Sequence, residues 1–85
     1  MDLTGQLLHR YWFKTREHLG FGVTAYSVED ARELIGAASR RVGWRLEVIE
    51  IIEDVDIRDL DQNRVVPNMG PPNFRDVWFP NLNLS

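Results

Sequence analysis

The chain contains no cysteine. A disulfide framework, a thiolate zinc site and a cysteine nucleophile are therefore excluded. Small secreted domains commonly depend on disulfides, so the composition points to a reducing cytosol. Long apolar runs are missing as well. The longest span two or three residues, such as Tyr11-Trp12-Phe13, against the ~20 that a membrane-spanning helix needs. Met1-Asp2-Leu3-Thr4-Gly5 places an acid where a signal peptide carries a base. A net positive charge is also missing. The net charge is -3, which argues against the broad electrostatic footprint of a phosphate-backbone binder. With 85 residues there is room for one domain with a small core, and none for a barrel, a dinucleotide fold or a large-pocket metabolic enzyme.

What is present is unevenly distributed. Residues 1–46 hold seven bases against five acids, and residues 47–85 hold three bases against eight acids. Nine of the ten bases are arginine, the cation suited to bidentate carboxylate contacts and ring stacking.

Leu7 to Thr15 reads as a strand, with His9, Tyr11 and Phe13 on one face and Leu8, Arg10, Trp12 and Lys14 on the other. Glu17-His18-Leu19-Gly20 suits a hairpin loop. Phe21 to Tyr26 reads as a second strand, in which Gly22 leaves a gap where a ring or backbone can approach. Ser27 caps a helix, with Asp30 three residues on in the capping-box position. Val28, Ala31, Leu34, Ile35, Ala38 and Val42 form its apolar stripe, Leu34 and Ile35 are expected in the core, and Gly43 ends it. Gly36 within the helix suggests close packing on the sheet.

Leu46 to Val55 fits a helix through Val48, Ile51, Ile52 and Val55. Its β-branched content and its place after a glycine stop favour a strand, with a bulge. A polar connection with at most one helical turn follows over 56–64. Turn chemistry occupies Pro67-Asn68-Met69-Gly70-Pro71-Pro72, Asp76 to Phe79 forms a short last strand, and 81–85 is expected to fray. The expected architecture is a single α+β domain over 1–85, in the order strand-strand-helix-strand-strand. One helix packs on a mainly antiparallel sheet, like half of a ferredoxin-like fold or a β-grasp sheet.

Several stretches suggest chemistry. Gly20-Phe21-Gly22-Val23-Thr24-Ala25-Tyr26, running into Ser27-Val28-Glu29-Asp30-Ala31, resembles the RNA-recognition motif. That resemblance implies a single-stranded RNA binder using Arg10, Trp12 and Tyr26. Leu19 stands where the family carries a base and Val23 where it carries a stacking aromatic. Five acids crowd Glu53 to Asp61. Counted from Asp54, Asp59 and Val65 fall where a calcium loop needs glycine and glutamate, so an acidic solvated loop is the simpler reading. His9 and His18 are the only candidate imidazole bases. His9 shares a strand face with Tyr11 and Phe13, and His18 lies in the hairpin loop. A small enzyme or metal binder would have to use His9 or the 53–61 acids; no cofactor is expected.

Over nearly its whole length the chain resembles a group of short bacterial proteins of no established activity. The resemblance rests on His9-Arg10-Tyr11-Trp12-Phe13, Gly20 to Ser27, Pro67 to Pro72 and Val77-Trp78-Phe79-Pro80. It implies a bacterial origin and one continuous domain, and carries over no catalytic residue.

Three tryptophans, four phenylalanines and two tyrosines exceed what one helix can cover on one sheet face. The expectation is an exposed patch of Trp12, Met69 and Trp78 rimmed by Arg10 and Lys14, beside the stiff proline-rich loop. Aromatic centres with arginine rims characterise protein contact sites. The corresponding function is a small cytosolic, non-catalytic protein-interaction module of accessory, regulatory or immunity type. Its partner would be another protein or a second copy in a homodimer, with no membrane and no nucleic acid involved.

Overall fold

In a computed structural model of the chain, residues 7–16 and 20–80 are described. The expected hairpin loop with His18 and Leu19, the first residues and the tail at 81–85 lie outside them. Four strands and one long helix follow in the order β1 (His9–Thr15), β2 (Phe21–Ala25), α1 (Val28–Val42), β3 (Val48–Glu53) and β4 (Asp76–Phe79). Single 3-10 turns fall at Ile57–Asp59 and Val66–Asn68 between β3 and β4. The sheet is antiparallel throughout, in the order β3-β1-β2-β4. The chain is thus α+β, with one helix on a four-stranded sheet.

Local chemistry places these elements. Ser27 Oγ accepts the Asp30 N–H (3.1 Å), which satisfies one of the donors orphaned at the helix start, and Asp30 Oδ2 accepts the Tyr26 N–H just before the cap (3.1 Å). Glu29 and Asp30 in the first turn and Arg40 and Arg41 in the last favour the helix dipole. Gly43 closes α1 in the left-handed conformation at φ 72°, which costs glycine little. β3 carries the anticipated bulge. Lys14 opposes Glu50 and Thr15 opposes Val48, which leaves Ile49 as the extra residue.

The alternation read from β1 and β2 divides the interior in two. Tyr11, Phe13, Phe21, Val23 and Ala25 meet Ala31 and Ile35 under α1. Leu34, expected at the centre of the core, is only half-buried on the edge of this cluster, because the buried line of α1 runs through Ala31, Ile35 and Ala38. Trp44 closes the end of the cluster edge-on to Phe21, centroids 5.8 Å apart.

The opposite face carries a second core. Trp12, Trp78 and Phe79 lie beneath Val55, Leu60 and Val65 of the β3–β4 connection. Trp12 stacks at tilted angles with Trp78 and Phe79, centroids 6.2 and 5.5 Å apart. The segment anticipated as a polar connection is thus part of a lid whose buried residues fall every fifth position, with Ile57, Val66 and Met69 half-buried between and beyond them.

Candidate interaction surfaces

The residues expected to form an exposed patch do come together, as interior. Trp12 is 7% exposed and Trp78 2%, and Met69 is half-buried against the same cluster. Of these five residues Arg10 and Lys14 are the exposed ones, and Lys14 pairs with Glu50 (3.3 Å). The expected surface patch is therefore not a surface. The helix covers the aromatics of one sheet face only. What covers the rest is the chain's own 55–69 segment. The same burial removes Trp12 as a stacking platform for RNA, and Phe21 and Val23 are sealed under the helix.

The proline-rich loop closes the sheet. Gly70 N–H donates to Trp78 O (2.6 Å), and Thr24 Oγ1 donates to Pro72 O. Thr24 Oγ1 also accepts the buried Trp78 indole N–H (3.0 Å). Beyond Pro72 the chain turns outward. Phe74 is 62% exposed, and Arg75 returns to the start of α1, where its Nε donates to Asp30 Oδ2 (2.8 Å) and its Nη2 to Asp30 Oδ1. This charge-assisted fork holds the Asp30 carboxyl below its ordinary pKa, helped by the Tyr26 N–H. Tyr26, 46% exposed, lies close enough to Arg75 to bear on its charge. Tyr26 and Arg75 are thus exposed neighbours at the β4 side of the molecule, and Phe74, exposed as well, precedes Arg75 in the chain. Sequence reading missed Phe74. Its signal was a lone aromatic after Pro71-Pro72-Asn73, outside every periodic segment.

Two concavities flank β3. One, about 370 Å³, opens over Trp12, Ile52 and Leu60 on the lid side, with Lys14, Asp59 and Asp61 at its margin. The other, about 240 Å³, lies on the helix side between α1 and the start of β3, over Phe13, Ile35, Leu46 and Val48.

The acids and the histidine are tied into local pairs. Asp56 accepts from Arg58 Nη2 (2.7 Å) and from the Arg58 N–H, which holds its carboxyl down at about 2. Asp61 receives the Asn63 and Arg64 N–H groups and the Arg64 guanidinium. His9 Nδ1 lies 2.8 Å from Asp54 Oδ1. Among the described residues, no group of three or more histidines and carboxylates is placed to hold a metal ion, and no helix is long and apolar enough to cross a membrane. Burial together with Glu53 and Asp54 pushes the Tyr11 hydroxyl above its ordinary pKa, so Tyr11 stays a neutral core phenol.

Comparison with family models, curated proteins and solved structures finds no match to this chain.

Proposed function

We propose that this chain is a small cytosolic, non-catalytic module that binds another protein through Tyr26, Phe74 and Arg75. The observation that carries the reading is the exposure of two large aromatic side chains, one near Arg75 in space and one next to it in the chain, with that arginine held in place by Asp30. Tyr and Arg are enriched among residues that dominate contact energies, and a fixed guanidinium loses little freedom on binding. The loop that presents Phe74 is itself held to the sheet through Gly70 and Pro72. The cysteine-free composition supports the cytosolic assignment.

A photoreactive phenylalanine analogue at position 74, expressed in the native host, tests this. A discrete cross-linked adduct should form at 74, disappear in Arg75→Ala, and be absent when the analogue replaces exposed Gln62 on the lid. Equal labelling at 74 and 62, or none at 74, refutes the surface.

A further inference from the structure

We infer that the outer edge of β3 is a self-complementary dimer interface, across which two copies of this chain join their sheets about a two-fold axis. β3 is an edge strand, paired among the described residues only with β1. Such an edge offers a row of free N–H and C=O groups, and proteins ordinarily shorten, charge or cover it. Here it is six residues long with the sequence Val48-Ile49-Glu50-Ile51-Ile52-Glu53, and Ile49 is 55% exposed. α1 packs over β2 and β4, so the helix-side groove beside β3 is left open.

Unsatisfied charge selects the occupant. Arg16, Arg58, Arg64 and Arg75 each hold a carboxylate. Arg32, which lines the groove, and Arg40, which lies beside its Gly36 wall, take part in no ion pair among the described residues. Arg32 stacks over the Phe13 ring at 6.0 Å, and Arg40 Nη1 lies where it would be 3.3 Å from a Cβ on Gly36. Gly36 therefore does not serve close packing on the sheet, as its place in the helix had suggested. It leaves one wall of the groove bare at a cost of up to ~1 kcal/mol to the helix. On the same strand Glu53 also has no ion pair among the described residues. It opposes Tyr11 across the ladder and bears on that hydroxyl, which puts it on the helix side.

An antiparallel pairing centred on Ile51 reconciles these facts. Residues opposed across antiparallel strands share a face. Ile51 then meets its own symmetry mate on the helix side, and Glu50 meets Ile52 on the lid side. Glu53 of each copy falls beside Val48 and Ile49 of the other, next to the Arg32–Arg40 groove. The two-fold makes both ends equivalent, and each unpaired carboxylate finds guanidinium groups suited to it. Glu47 and Glu50 are occupied by Arg16 and Lys14, so they do not oppose the approach.

Sedimentation equilibrium of the purified chain over a concentration series, with charge-reversed variants, decides the matter. The wild type should show a monomer–dimer equilibrium. Glu53→Arg, and Arg32→Glu combined with Arg40→Glu, should each weaken it about tenfold or more. Mixing the two variants should restore a mixed dimer. A wild type that stays monomeric overturns the inference, as does a dimer indifferent to these changes or variants that fail to rescue each other. A dimer dissolved instead by Phe74→Ser assigns association to the Tyr26–Phe74 surface and equally overturns it. If a charge variant does not fold, an isotope-filtered NOE between Ile51 of a labelled and an unlabelled wild-type chain gives the same answer: its presence upholds the pairing and its absence refutes it.

Discussion

The ring of Trp78 occupies the space that a side chain at Gly22 would fill. A Cβ built on Gly22 collides with the Trp78 ring. Next along β2, Thr24 Oγ1 accepts the indole N–H at 3.0 Å. The glycine gap, the tryptophan and the threonine form one device that docks β4 and fixes the far side of the sheet.

Gly22→Ala should destabilise the fold by at least about 1–3 kcal/mol, since a buried ring cannot retreat without disturbing its neighbours. Thr24→Val keeps the shape but leaves a buried indole N–H without an acceptor, at about 1–3 kcal/mol. Thr24→Ser should recover most of that loss. Urea unfolding of the three variants checks this. A Thr24→Val protein as stable as Thr24→Ser would show that the indole bond contributes nothing.

Trp12→Ser separates interior from surface. Trp12 lies between Trp78, Phe79 and the lid residues Leu60 and Val65. Its loss should cost about 3–5 kcal/mol, the range for large aromatics removed from a core, out of the ~5–15 kcal/mol that small domains possess. Phe74→Ser, by contrast, should leave the melting temperature within a few degrees of wild type. If Trp12→Ser melts like wild type, the second core does not exist.

These variants mark how much the sequence disclosed. Alternation in β1 put Tyr11 and Phe13 on one face of that strand, because a strand's period leaves no other choice, and the pairing with β2 set Phe21 and Val23 beside them. The Ser27 cap and the Gly43 stop bounded α1 for equally local reasons. Gly22 announced a close approach, though not whether by a ring or by backbone. The lid was illegible. Val55, Leu60 and Val65 have neither helical nor strand spacing, so periodicity had nothing to detect, and their burial depends on contacts with residues far away in the chain. The site went astray for the same reason. Whether Trp12 and Trp78 were surface or interior turned on a segment whose structure is tertiary in origin.

On α1, Ile35→Ala should cost about 2–5 kcal/mol and Leu34→Ala distinctly less. Ile35 is buried under the helix, whereas Leu34 flanks the cluster. Equal losses would mean that the helix is rotated from the orientation described.

The pairing of Asp30 with Arg75 sets a pH dependence. The two residues lie 45 positions apart, so their contact needs the folded chain. The Arg75 fork, with the Tyr26 N–H, depresses the Asp30 pKa in the folded state below its unfolded value near ~3.9. A depressed carboxyl stabilises the fold above the unfolded pKa, and that contribution is lost as pH falls through the folded value. Arg75→Ala should thus lower stability at pH 7 modestly, as for other solvent-exposed pairs. The gap from wild type should close below about pH 4. Arg58→Ala is the contrast. Its guanidinium holds Asp56 at about 2, yet the two residues are two positions apart. Such a local pair persists in part in the unfolded chain and changes the balance little. Urea unfolding at pH 7 and pH 3 should therefore show a pH-dependent deficit for Arg75→Ala and almost none for Arg58→Ala. A constant deficit for Arg75→Ala at both pH values would mean that Arg75 acts through packing alone, and that Asp30 does not hold it in place.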